Sequence, residues 1–348
     1  MSVRLFERTI FVACLIVSGC VFPFSCPAAW AAEQDEIEEK SLCVKNLLDK
    51  VETKLEMKRR RQKTQARLGV FHGYETNANL GAHRKGDFFE GVSFAVDHLS
   101  EISPDLILKG DYGLFAYNYH ELTDNRYILN QVDGRLQKKL GRLRLSAGAN
   151  ALLLNYPCNL DGDFWSPKGY LEVRHYISKK LYHEIIGDYS VRYYVHAKAH
   201  GDTSGSWQDK ERRDGQYSGT YRIGGLLGKR FSWRLGTTVT VNDSNARYMD
   251  YYDYLSFRHS LALVYKMSQK DALFSNLSFA RKEYDTRTIT SGDPRQINNL
   301  YTASCGLRHQ FDEHKSVALY YTYRENVSND ALDEYSDSAA TLSWQYNF

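Results

Sequence analysis

The chain has 348 residues, with 26 tyrosines, only six prolines and a hydrophobic share of 43%, enough for one large domain or two. A net charge of +3 is too small to argue for nucleic acid, and the single basic run, Lys58-Arg59-Arg60-Arg61, has no interleaved aromatics and reads as a membrane-side anchor. Many tyrosines and few prolines suit strands that bury one face in lipid and set amphipathic rings at the two interfaces; a soluble β-sandwich with tyrosine-rich strands is the alternative.

At the N-terminus, Arg4 and Arg8 precede an apolar run over residues 9–24 and then Ala29-Trp30-Ala31. This is the three-part layout of a secretory signal, and cleavage after Ala31 defines a segment 1–31. Val17-Ser18-Gly19-Cys20 also resembles a lipobox, which would make Cys20 an acylated first residue, although the apolar Val21-Phe22-Pro23-Phe24 replaces the usual polar tether. Only Cys43, Cys158 and Cys305 come after the signal, so neither a disulfide framework nor a zinc site is expected, and no cofactor is implied.

Residues 32–64 are charged and lack Gly and Pro, with Ile37, Val44, Leu48, Val51 and Leu55 at heptad-like spacing. The spacing predicts a periplasmic amphipathic helix that either pairs with a copy of itself or another protein, or plugs or caps the mouth of a barrel.

After Thr64 the period changes from 3.6 to 2 and stays there to the C-terminus. Fourteen alternating spans are predicted: 66–74, 88–98, 106–118, 127–138, 143–154, 168–178, 184–195, 213–226, 233–242, 253–266, 272–284, 297–309, 316–326 and 336–348. Each is as long as a tilted strand needs to cross a bilayer core. Short connections such as 140–141, 228–230 and 268–271 alternate with long polar ones, including 75–87, 155–167, 196–212, 242–252, 285–296 and 326–335. Sorting of loop length by side predicts an all-β, antiparallel up-and-down transmembrane barrel of about 14 strands over residues 65–348, with its short turns periplasmic. Asn242-Asp243-Ser244-Asn245 echoes Asn326-Val327-Ser328-Asn329, and Thr76-Asn77-Ala78-Asn79 more loosely; these favour Asx turns, with calcium binding as the alternative.

One parity of the spans carries Leu68, Val70, Leu171, Leu261, Leu319 and similar residues, almost none charged, and Cys305 as a small hydrophobe. The other collects Lys109, Asp111, Arg135, Arg144, Arg174, Arg192, Arg222, Arg234, Arg258, Arg308 and Arg324. Facing lipid, each charge would cost roughly 2 to 4 kcal/mol near the midplane, so these residues are expected to line a lumen. Either they form a positively charged passage for anionic solutes or glycan, or they pair with Asp and Glu in a structural ladder. Histidines such as His72, His98, His175 and His309 are scattered, and no G-x-S-x-G, H-E-x-x-H or phosphate loop occurs, so the chain does not read as an enzyme.

The closing segment Ala340-Thr341-Leu342-Ser343-Trp344-Gln345-Tyr346-Asn347-Phe348 is similar to the terminal signal of bacterial outer-membrane barrels. That likeness implies the outer-membrane lipids and the barrel-assembly machinery, which would read Phe348, as partners. From Arg67 to Phe348 the chain resembles porin-type outer-membrane β-barrel proteins of Gram-negative bacteria. Gly73-Tyr74-Glu75-Thr76-Asn77-Ala78-Asn79 with Arg84-Lys85-Gly86-Asp87 looks like the opening hairpin of that group. The group includes barrels associated with exopolysaccharide export and, more distantly, the barrel of surface lipoprotein assembly modifiers. Those modifiers carry a large helical-repeat domain where this chain has about thirty residues. The resemblance therefore implies a porin-like channel, or a non-conducting scaffold that displays its outer loops for adhesion or partner binding; the sequence leaves the oligomeric state open.

Overall fold

A computed structural model describes residues 62–80, 85–200, 207–246, 252–289 and 294–348. The signal segment, Cys20, Cys43, Arg84 and residues 32–61 of the expected helix lie outside them, and the last three residues of that helical segment are already strand. The strands are β1 (Gln62–Glu75), β2 (Asp87–Ser103), β3 (Leu106–Tyr119), β4 (Tyr127–Leu140), β5 (Leu143–Asn155), β6 (Phe164–Tyr176) and β7 (Leu181–His200). They continue as β8 (Trp207–Leu227), β9 (Phe231–Ser244), β10 (Tyr254–Lys266), β11 (Asp271–Thr288), β12 (Arg295–Gln310), β13 (Lys315–Ser328) and β14 (Tyr335–Asn347).

Each strand pairs antiparallel with its sequence neighbours, and β1 closes on β14 from Arg67 opposite Asn347 to Glu75 opposite Ala339. The alternation read from the sequence is the reason. Leu171, Ile185 and Leu319 are 66, 57 and 56% exposed on the outside, whereas the polar parity points inward. No described helix is long and apolar enough to cross a membrane.

Turns of two to four residues join the strands at the end that holds both barrel termini, and longer connections join them at the other. Two of the short turns place glycine at positive φ, Gly141 at 60° and Gly228 at 69°, where a side chain would be strained. The expected 14 spans are all strands, with two corrections. The 196–212 loop is largely strand, because β7 and β8 run 20 and 21 residues. A hairpin that projects past the lipid stands in water and needs no apolar face, so its polar sequence read as loop. The sixth span starts at Phe164, before Pro167, and ends at Tyr176; Ser166 and Pro167 pair with β5 but not with β7, which spares the missing N–H.

The repeated Asn motifs resolve as backbone clamps. Asn245 donates Nδ2 to the Glu211 carbonyl (2.9 Å) and accepts at Oδ1 from the Arg213 amide (2.7 Å). Asn329 does the same across β12 and β13, donating to the Arg295 carbonyl (2.8 Å) and accepting from the Ile297 amide (2.8 Å). Asn242 and Asn326 each donate to the returning segment, at Tyr252 and Asp333. The side-chain oxygens of Asn245 and Asn329 thus stand in for strand carbonyls. In the short turn 311–314, Asp312 accepts from the His314 and Lys315 amides, both 2.8 Å, and these bonds hold its carboxyl below the usual range.

Asn245→Ala or Asn329→Ala removes two bonds each, about 1 kcal/mol on an exposed edge. Amide exchange at Arg213 or Ile297 should quicken about fivefold, read by hydrogen exchange, and added calcium should not slow it in the native protein.

Candidate functional site

The eleven inward residues named from the sequence fall into four environments. The first is an ion-pair network near the short-turn end. Arg174, Glu184 and Arg222 lie opposite one another across β6, β7 and β8. Glu184, 1% exposed, accepts from Arg174 Nε (2.6 Å) and Arg222 Nη1 (2.9 Å). Glu172 joins Arg174 (3.3 Å) and Arg135 (3.8 Å) to the same network. Two carboxylates serve three guanidinium groups, so the ladder foreseen as an alternative does exist in this part of the wall.

The second environment is a tie at the long-loop end. Arg324 bonds Asp337 through Nε (3.0 Å) and Nη2 (2.7 Å) and also reaches Glu75, whose second oxygen accepts from the Tyr119 hydroxyl (2.7 Å). Asp337 in turn accepts from the amide of fully buried Asn77 (3.1 Å), and Asn125 donates to the Ala78 carbonyl (2.8 Å). These bonds draw residues 76–80 over the mouth of the barrel, where Leu80 sits at φ 47°, a region unfavourable for a branched side chain. Arg324 is therefore a fastening, not a free charge.

The third environment is Lys109, Arg144, Arg192, Arg234, Arg258 and Arg308, which make no ion pair among the described residues. Arg144 lies 5.3 Å over the Tyr176 ring and Arg192 5.5 Å over Phe164, contacts that orient a cation without neutralising it. The fourth is acidic: Asp97, Asp111 and Asp133 stand side by side across β2, β3 and β4. Arg67 binds Asp97, and the Tyr170 hydroxyl donates to Asp133 (3.1 Å). In a ring of 14 strands β3 is seven places from β10, so the strand that carries Asp111 stands opposite the one that carries Arg258.

Two cavities open on the lumen at the long-loop end. The larger, about 810 Å³, is bordered by Lys168, Arg192, Arg258, Lys282, Asp188 and Asp333, with hydroxyls and amides between them. The smaller, about 430 Å³, lies among Glu75, Tyr119, Tyr127, Tyr156 and Arg324, and Leu80 borders both. Burial, and then the Asp163 carboxylate, push the Tyr156 phenol up, so it remains a donor at neutral pH. Sequence reading passed over Lys282, Lys168, Glu75 and Asp337. Lys282 shares the inward parity of its strand, which was the available signal.

No family model and no curated protein matches the chain. Solved structures do. A loop L8 deletion mutant of OmpT, an outer-membrane protein of Vibrio cholerae, superposes with a TM-score of 0.51 at 9% identity, over 83% of this chain and 100% of that one. Outer-membrane expressed OmpT of Vibrio cholerae gives 0.50 at 9% identity, over 82% and 97%. The toluene transporter TodX of Pseudomonas putida gives 0.44 at 10% identity, over 82% and 89%. At such identities the likeness concerns the fold alone: this chain is a transmembrane β-barrel of the outer-membrane kind.

Glu184→Gln should strip Arg174 and Arg222 of their shared charge. The folded barrel is expected to lose about 1.5–3 kcal/mol, measured as a lower urea midpoint, whereas Arg308→Gln, with no ion pair to lose, should leave the midpoint unchanged.

Proposed function

We propose that the protein is a porin-like passage across the outer membrane for small polar or anionic solutes or glycan, without enzymatic activity. The observation that carries this reading is the set of six inward cations left without ion pairs among the described residues. A charge held on a wall and not cancelled raises the local concentration of counter-ions and favours their entry. The acidic row on β2 to β4 opposes part of this set across the lumen, so a solute would pass through a sideways field. The eleven named residues contribute unequally: Arg135, Arg174, Arg222 and Arg324 shape the wall, and the remaining cations attract.

The strand histidines support a non-enzymatic reading. His175 pairs with His183 (3.0 Å), His98 with Thr64 (2.8 Å) and His309 with Asp271 (2.8 Å). Ser268 does bond Asp271 (2.6 Å), but the carboxylate then stands between serine and imidazole, the reverse of the order in which an imidazole activates a serine. At the closing strand, the Phe348 amide donates to the Ala66 carbonyl (2.9 Å), and its ring is 67% exposed. An exposed terminal ring at the short-turn end is available to the assembly machinery, which supports a periplasmic position for that end and for the segment before β1.

A non-conducting scaffold is the second reading. It is favoured by the Arg–Glu network and by residues 76–80 lying over the mouth, which both narrow the lumen.

Refolded protein in planar bilayers separates the two. A passage should give stable current with a reversal potential that favours anions in a salt gradient, and Arg258→Glu should move that potential toward cation preference. Absence of current from protein shown by heat-shifted gel mobility to be a folded barrel would establish the scaffold.

A further inference from the structure

The wall of the larger cavity presents one continuous polar row. Asp188, Ser218, Thr240, Ser256, Lys282 and Asn298 lie opposite one another in register from β7 to β12, and all border the cavity. Barrel strands tilt by roughly 35–45° from the axis. A row at right angles to them is therefore no level ring; it climbs along the lumen as it passes from strand to strand.

Three cations sit on or beside this row with no carboxylate of their own among the described residues. Lys282 Nζ lies 3.9 Å from the Tyr254 ring centre and 4.4 Å from that of Tyr284. Arg192 rests over Phe164, and Arg258 faces the cavity from β10. Lys168, by contrast, is spent on Asp188 (3.0 Å). Aromatic faces fix a cation in place and leave its charge uncancelled. Between the cations the row offers the hydroxyls of Ser218 and Thr240, bonded to each other across the strands (3.0 Å), and that of Ser256. Each such hydroxyl keeps a further donor or acceptor position.

A small inorganic anion would need donors converging on one point. Here the cations are spread over β7, β10 and β11, with hydroxyls and amides in the intervals. That spacing suits a ligand that is itself extended, rich in hydroxyls and anionic at intervals. The cavity of about 810 Å³ is within the size of a small-molecule site.

We propose that this chamber binds a short acidic oligosaccharide, a chain of carboxylated sugars lying along the climbing row with its carboxylates on Arg192, Arg258 and Lys282. The proposal rests on the reading of the barrel as an anion passage and names its solute class. Cations clamped by rings, and hydroxyls paired across strands, are already ordered before the ligand arrives, which lowers the entropy lost on binding.

The test is calorimetric titration of the full-length folded protein with trigalacturonate, with maltotriose as the neutral chain and monomeric galacturonate as the single anion. Trigalacturonate should bind saturably, and both controls about tenfold more weakly or less. Arg258→Gln and Lys282→Gln should each weaken it about fivefold, and Thr240→Val, which keeps every charge, should weaken it about threefold. Equal binding of monomer and trimer, with no effect of Thr240→Val, would reduce the chamber to simple anion attraction and overturn the proposal, as would equal binding of maltotriose or no binding by a barrel of normal heat-shifted mobility. Anion current without such binding would keep the passage and remove this site. Binding without current would keep the site and remove the passage.

Discussion

Closure of the hydrogen-bonded wall is the constraint on which the rest of the structure depends. In hydrocarbon an unpaired N–H or C=O has no water to turn to, so a sheet can stand there only if its first and last strands meet. The β1–β14 ladder, nine pairs long from Arg67 to Glu75, does this. Once closed, the wall fixes parity everywhere, because a slip of one residue would turn charges such as Arg174 and Glu184 toward lipid. The inward charges are therefore a consequence of closure. What remained for selection to choose was how those charges are paired.

Paired and unpaired cations occur at both ends of the barrel. Near the short turns, Arg135, Arg174 and Arg222 share Glu172 and Glu184, and at the opposite mouth Arg324 is consumed by Glu75 and Asp337. Both groups join neighbouring strands and reach one strand further, Arg135 over β5 to Glu172 and Arg324 over β14 to Glu75, and the second holds residues 76–80 across the opening. The cations with no ion pair among the described residues also lie at both ends, Lys109, Arg144, Arg234 and Arg308 toward the short turns and Arg192 and Arg258 toward the long loops. A lumen with paired charges alone would be a stiff plug; one with unpaired cations alone would repel itself.

Much of the fold was legible in the sequence because lipid enforces it. Leu68, Val70 and Leu171 alternate with polar neighbours since nothing else survives on that face, and the same pressure spaces the turns. Where the pressure lapses, legibility lapses. The ends of β7 and β8 stand clear of lipid, so His196 to His200 carried no alternation to read. The site was half legible for a related reason: parity shows that Arg324 points inward, but its partner Glu75 lies 249 residues away, and only the closed ring brings them together. Lys282 was equally visible by parity, yet its distinction is the pair of tyrosine rings beside it, one of them on the neighbouring strand.

The paired and unpaired cations are best understood as parts of one arrangement. A cation attracts a passing anion most effectively when it is already held at its final position, since reorganisation during passage would consume the gain. Fixing a long side chain in water requires a contact, and a carboxylate contact removes the charge that is wanted. The barrel separates the two needs. Carboxylates lock Arg174 and Arg222, which stiffens β6 to β8 at one end, while ring faces hold Arg144, Arg192 and Lys282 without a carboxylate contact among the described residues. The tyrosines abundant in this sequence thus serve both faces of the wall: on the outside as interfacial rings, and on the inside, at Tyr176, Tyr254 and Tyr284, as neutral supports for positive charge.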